Sequence, residues 1–346
     1  MIVQKYLSKQ VKKTSISIII ILLFIVTSNQ YISLLSKAVH GKIVKEGILD
    51  ILFLSMPTLL GVLLPIALFL GIILVLSRLY ADSEMVILNS NGIGPLDILN
   101  YIKWPILSFA LIAAVVNLYV NPKVMYYKDF FKNKYQAIAK LQHLPVGEFL
   151  SFANGKYVIY ISNKVNDDKE LENIFLAEDN ADSLILSQKA SFVKGDNNER
   201  ILVLHDGMRY HGISDKKSLN VIEFKKHGFM LPKINISNKL DKKEKPTKLL
   251  FNSQLLEDKL ELQWRISFVL APLILAILAI PLSRVSPRQG KFTKIIPAIL
   301  IFISYYNLLA SSIDWVEAGY IPLWIGLWWV HLLFLTAAIW LWRKKL

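Results

Sequence analysis

Few residues in this chain have the type and spacing that catalysis needs. Cysteine is absent, which removes thiolate chemistry and cysteine-held metal. The six histidines are scattered; His205 and His211 are spaced to share one strand face, but no carboxylate pair stands near them to complete a metal site. H-E-x-x-H, G-x-S-x-G and Walker A patterns are missing, and Gly290-Lys291-Phe292-Thr293 lacks both the upstream glycine and the hydroxyl residue beside the lysine. The expectation is a non-catalytic chain with no cofactor of its own.

Three groups remain. In the stretch Arg78–Asn100 (RLYADSEMVILNSNGIGPLDILN), Glu84 is flanked by Leu79, Tyr80, Met85, Val86 and Leu88. Ser83 is placed to cap a short helix, Asn91-Gly92 to end it and Pro95 to restart the chain. An amphipathic helix with one acid among apolar anchors fits a groove on a partner protein, or else rests on lipid. The second group is polar: Ser28, Asn29, Gln30, Ser33, Ser36 and Lys37 follow the first hydrophobic run. Polar groups at membrane depth are costly and face a protein interior or a polar substrate, unless the span ends near Asn29. The third is the basic turn Ser286-Pro287-Arg288-Gln289-Gly290-Lys291, whose charge is explained by topology alone.

These groups must be positioned by membrane-spanning elements. The 346 residues are 54% hydrophobic with mean hydropathy +0.43, above the composition of a soluble domain. Apolar runs of about 20 residues, the length that a hydrocarbon core of about 30 Å demands, occur at 15–31, 51–76, 101–120, 266–282, 295–313 and 323–342. Asn121-Pro122 is read as the end of the third. Ahead of the first, Val3, Leu7 and Val11 repeat every fourth residue against Lys5, Lys9, Lys12 and Lys13, which suits a helix lying on an anionic membrane surface.

Net charge is +14, but its placement argues against nucleic acid. Thirteen Lys/Arg lie in four segments: 5–13, 78–103, 284–294 and 343–345; with both termini inside, all four are cytoplasmic. The opposing short loops, 37–50 and 314–321, carry three. Segment 122–263 then lies outside, its charge discounted because large domains translocate largely regardless of it.

That segment changes character. After a helix over 123–142 come seven short runs rich in β-formers: 147–152, 156–162, 174–178, 184–193, 200–204, 208–213 and 218–224. Turn signals separate them, including Asn154-Gly155, Asn166-Asp167-Asp168 and Asp206-Gly207, and a Lys-rich tether, 238–248, returns the chain to the bilayer. The reading is an α+β membrane protein: six transmembrane helices with an inserted periplasmic β-jellyroll-like domain. Its parts are 1–121 with a short amphipathic helix at 78–92, the β insert 122–263, and 264–346.

The opening IVQKYL, PIALFLG in the second run, RLYADSEMVIL…NGIG, ELQWRI before the fourth run and PLSRVSPRQGK after it resemble the LptF/LptG permease family of lipopolysaccharide export, over essentially the whole chain. The Pro-Arg-Gln-Gly turn is more similar to the LptF members. The resemblance implies an inner-membrane subunit of a Gram-negative bacterium, paired with an LptG-type subunit above two LptB-type ATPases. In it, Glu84 matches the acid of the coupling helix, with Leu79, Tyr80, Met85 and Leu88 as anchors. Spans one and five form the lateral gates, and the β domain passes lipopolysaccharide to an LptC-type subunit. Asn29, Gln30, Ser33 and Lys37 line the implied substrate path; the family often carries basic residues there, and Gln30 and Ser33 depart from that. The alternative from another class is a membrane anchor presenting a lipid-binding β domain without transport.

Overall fold

The computed structural model describes residues 2–142, 146–152, 157–165, 170–178, 183–194, 200–212, 219–230, 240–286, 290 and 292–345. The chain forms two compact units, one of Met1–Ser33, Leu49–Asp129 and Lys239–Leu346, the other of Leu34–Ile48 and Phe130–Asn238.

The elements in chain order are α1 (Ile2–Val39), α2 (Gly47–Ala81), α3 (Glu84–Ser90), α4 (Pro95–Tyr101), α5 (Lys103–Val115), a π-helical turn (Val116–Val120), α6 (Asn121–Gln142), strands β1 (Phe149–Phe152), β2 (Tyr157–Val165), β3 (Glu170–Glu178), β4 (Ser183–Lys194), β5 (Arg200–His211) and β6 (Asn220–Met230), then α7 (Thr247–Asn252), α8 (Leu256–Leu282), α9 (Ile295–Glu317) and α10 (Trp328–Lys345). Five helical stretches among the described residues are long and apolar enough to cross a bilayer: Ile2–Val39, Gly47–Ala81, Lys103–Gln136, Leu256–Leu282 and Ile295–Glu317. The sixth run behaves differently. Residues 323–327 form turns and α10 begins only at Trp328. Pro322 and Gly326, the latter at φ 44°, break the run there.

In the first unit, buried apolar faces of α2, α5, α8, α9 and α10 make one core around Phe69, Ile72, Leu76, Leu275 and Tyr305. Residues 2–13 are not a separate surface helix. They are the first turns of α1, whose Leu7 and Val11 are wholly buried in that core while Lys5, Lys9, Lys12 and Lys13 stay exposed. The fourfold repeat therefore marks a protein-facing stripe. α1 meets α2 closely at Gly71, where an added Cβ would collide with the Ser15 hydroxyl and come within 3.1 Å of its Cα.

The third span does not stop at Asn121-Pro122. The helix runs on through the π turn into α6. A proline inside a helix withdraws one N–H and clashes with the preceding turn, and a π turn is one way to absorb that. Asn117 fills the widened turn, donating to the Ala113 carbonyl at 2.9 Å and the Gly61 carbonyl at 3.4 Å.

In the second unit the strands form one antiparallel sheet in the order β1-β2-β3-β4-β5-β6, each pairing with its sequence neighbour. Among the described residues six strands stand where the spacing predicts seven, because 200–204 and 208–211 belong to one strand: Asp206-Gly207, read as a turn, lies inside β5. Asp206 takes φ 50° within β5, as does Asn173 within β3. Asn and Asp accept this left-handed conformation more readily than other L-residues. The turn signals Asn154-Gly155 and Asn166-Asp167-Asp168 lie outside the described residues.

The two positive φ values belong to a crease that crosses the sheet. Ile161, Ile174, Ser187, Gly207 and Phe224 pair in one row, and Lys164, Leu171, Ala190, Leu204 and His227 in another. Within each strand the two rows are three residues apart, whereas an unbroken pleat returns to one face every second residue. Alternation thus changes phase in all five strands at the same level. The sheet rolls over its inner face, which buries Ile159, Ile161, Leu176, Ile185, Leu202 and Leu204. Tyr157 of β2 and Phe229 of β6, strands far apart in a flat sheet, have ring centroids 5.7 Å apart. The phase change also separates the histidines: His205 pairs with Lys189 and points to the outer face, while His211 pairs with Ser183 on the inner one. They share no face.

Candidate functional site

The connection between α2 and α5 is organised from its buried residues outward. Leu79 and Met85 are 1% and 0% exposed, so they hold the segment to the core, with Tyr80 and Leu88 packed partly buried beside them. What stays open is a different trio: Glu84, Val86 at 61% and Ile87 at 64% exposure. Ser83 does not cap α3; it sits at φ 60° with no side-chain cap bond and turns the chain sharply between α2 and α3. Arg78 braces the turn, lying 3.6 Å from Asp82 and 3.9 Å from Glu84 and donating to the Tyr6 hydroxyl at 2.9 Å. Asn91 closes α3 by donating to the Ile87 carbonyl at 2.7 Å, and Gly94 N–H donates to Asp97 at 2.9 Å to start α4 at Pro95. Ile87 is the residue that the sequence reading missed, although it stands three positions after Glu84, on the same helical face.

The polar group on α1 divides into two faces. Asn29, Ser33 and Lys37, four residues apart, are exposed. Gln30 turns the other way and donates at 2.7 Å to Ser55 on α2, which in turn donates to the Ile51 carbonyl at 2.7 Å. The rest of α1 is strongly uncovered, with only 6% of its apolar window buried, against 67% for α2 and for α8.

The motif ELQWRI (Glu261–Ile266) fixes the chain segments around the start of α8. Gln263 donates to the Leu323 carbonyl at 3.0 Å and accepts from Leu327 N–H at 3.0 Å, so it holds the turns ahead of α10. The Trp264 ring packs edge-on against Phe268 and Tyr306 at 5.1 and 5.7 Å. Arg265, 4% exposed, donates to Glu261 at 2.8 Å, to the carbonyls of Lys242, Lys243 and Lys245 at 3.0–3.2 Å, and to the Thr247 hydroxyl at 3.0 Å. Asp258 joins the cluster, accepting from Lys245 and Ser253 at 2.8 and 2.7 Å. Family resemblance picks out ELQWRI, but its partners lie about 20 residues away in the tether, where no local periodicity shows them.

On that tether, burial pushes the Glu244 carboxyl up; the Asp241 N–H offsets this in part, and the nearby Asp129 and Asp241 carboxylates add to it. The folded chain therefore holds this proton more tightly than the unfolded chain does. The stability it contributes is complete below the ordinary carboxylate range and is lost as pH climbs through the raised value. Glu244→Gln is expected to raise the thermal midpoint at pH 7–8 and leave it unchanged at pH 4, read by thermal unfolding in detergent.

The outer face of the sheet carries a groove of about 920 Å³ at the crease. One cross-strand row along it is largely apolar, Tyr160, Phe175, Leu186 and Met208, ending at Glu223. Among the described residues no three His, Asp or Glu gather as metal ligands. Pro287, Arg288 and Gln289 of the basic turn lie outside the described residues.

Apolar helices with a six-stranded antiparallel sheet inserted between two groups of them define an α+β membrane protein. The family model of the lipopolysaccharide export system permease LptF/LptG matches residues 5–344, and the chain belongs to that family. It is similar to the lipopolysaccharide export system permease protein LptF of Escherichia coli K12, at 25% identity over 345 residues covering 98% of this chain and 94% of the relative. The protein of the same name from Shigella flexneri matches to the same extent. The family resemblance read from ELQWRI, PIALFLG and RLYADSEMVIL is thus the family found.

Proposed function

We propose that this chain is the non-catalytic membrane subunit of an ATP-driven exporter that draws lipopolysaccharide from the inner membrane and hands it to a periplasmic bridge. Its partners are an LptG-type subunit, an LptB-type ATPase pair and an LptC-type acceptor; the chain itself carries no cofactor. The observation that carries this reading is the open face of α3, where Glu84, Val86 and Ile87 stand uncovered in a chain of a permease family while Leu79 and Met85 anchor the segment from behind. An acid beside two apolar side chains on a braced helix suits a groove on a globular partner. ATP-driven closure of that partner then shifts α3, and with it α2 and α5, which α3 and α4 connect. The long uncovered face of α1, ending in Asn29, Ser33 and Lys37, suits a lipid with several acyl chains and a polar head. α9 is the fifth span and has 28% of its window buried, and with α1 it serves as the lateral gate. All six apolar runs cross the bilayer, with the termini cytoplasmic and the sheet periplasmic.

Two measurements test this. Because the natural chain has no cysteine, Asn166→Cys and Arg288→Cys are single reporters; impermeant thiol reagents are expected to label position 166 from the periplasm and position 288 only after permeabilisation. Labelling of both from one side overturns the topology. The complex copurified with the tagged chain is expected to transfer lipopolysaccharide from proteoliposomes to a soluble acceptor only with ATP; transfer indifferent to ATP favours the passive anchor instead.

A further inference from the structure

Besides α1 and α2, which flank its segment Leu34–Ile48, the β unit is joined to the first unit by helix α6 and by the tether that leads to Thr247, and these last two connections meet a single polar node. Pro122 has no N–H to give the carbonyl four residues before it, that of Leu118. The Thr247 hydroxyl, from the tether, donates to this carbonyl. The same hydroxyl accepts from Arg265 Nη1 at 3.0 Å, and Arg265 also gathers the Lys242, Lys243 and Lys245 carbonyls. Lys245 is held again by Asp258, 4% exposed at its side chain. The π turn just ahead of Pro122, the tether and the start of α8 are therefore cross-bonded at one level. A tether without such bonds would move independently of both helices; here three of its carbonyls, a hydroxyl and an ammonium are all bonded.

We infer that Arg265 is a positioning residue whose role is to make the tether move with these two helices, so that displacement of the spans reaches the β unit through α6 and the tether together. The guanidinium suits this because its five fixed donors serve several acceptors simultaneously, and an ammonium cannot reach the same set. Buried at 4% exposure, Arg265 acts through Thr247 and the tether backbone. The tether's part in this coupling is lost when the node is cut, even when helices, sheet and ATPase contacts are intact.

The inference rests on the transport reading above, and the experiment keeps the two apart. The complex copurified with Arg265→Gln, Arg265→Lys or Thr247→Val is reconstituted in proteoliposomes with lipopolysaccharide, and ATP turnover and lipid transfer are measured together. Both arginine variants are expected to hydrolyse ATP within about twofold of the parent while lipid transferred per ATP falls about tenfold, the size of a lost charge-assisted bond. Thr247→Val keeps the side-chain shape and should lower transfer per ATP about threefold, deciding the matter where the arginine variants do not assemble. Unchanged transfer per ATP in Thr247→Val, rescue by Arg265→Lys, or a parallel fall in ATP turnover and transfer overturns the positioning role. A parent complex that transfers nothing with ATP overturns the transport reading instead.

Discussion

Ile87→Asp combined with Glu84→Lys is expected to lower recovery of the ATPase with the tagged chain by about thirtyfold or more, since a central interface anchor contributes about 2 kcal/mol or more. Membrane insertion should match the parent. The expectation depends on which side chains face away from the core, because Ile87 is 64% exposed and Met85 is not exposed at all. Met85→Ala therefore makes the opposite test. It removes a core side chain at a cost of about 2–5 kcal/mol and should lower thermal stability, leaving any folded fraction able to bind. Copurification at the parent level from the double variant would sink the docking assignment, and an equal stability loss from both variants would show that α3 presents no separate face.

Gly71→Leu should disturb the seat of α1 more than any conservative change on that helix. A β-carbon at Gly71 collides with the Ser15 hydroxyl and comes within 3.0–3.1 Å of its Cβ and Cα; turning the hydroxyl aside leaves that contact tight, and the longer leucine side chain then presses α1 away. Overpacking of this kind costs about 1–3 kcal/mol, and α1 has little other burial to hold it. Ser15 is wholly buried in the parent, so Ser15→Cys should be inert to a membrane-permeant thiol reagent and become about tenfold more reactive when Gly71→Leu is added. Equal labelling with and without the leucine would mean that the α1–α2 contact is dispensable.

How far the fold was legible depended on whether a local pattern carried the information. Long apolar runs announce helices because lipid forbids any other lone element, and five of the expected runs lie in helices long and apolar enough to cross a bilayer. Ends were harder. Pro122 reads as a stop, but the π turn before it and Asn117 within that turn let the helix continue. Leu323 reads as the start of a span, yet Gln263, 60 residues earlier, holds that carbonyl in a turn. In the sheet, alternation found the strands, whereas Asp206-Gly207 has the composition of a turn yet lies inside a strand, Gly207 pairing with Ser187 and Phe224, so two runs became one. Around Glu84 the residue types were informative and their directions were not. Leu79 and Met85 look as adhesive as Ile87 on paper, and only packing against the core decides which of them a partner can reach.

The row at which the pleat changes phase limits how the β unit can vary. Loss of one residue from any single strand between β2 and β6 would leave that strand's inner row out of step with both neighbours, exposing apolar side chains and burying charged ones beyond the cut. Single-residue deletions should therefore be tolerated only in the turns between strands. A library of such deletions across 157–230 should return survivors clustered at the strand ends, with a gap through 162, 173, 188, 206 and 225.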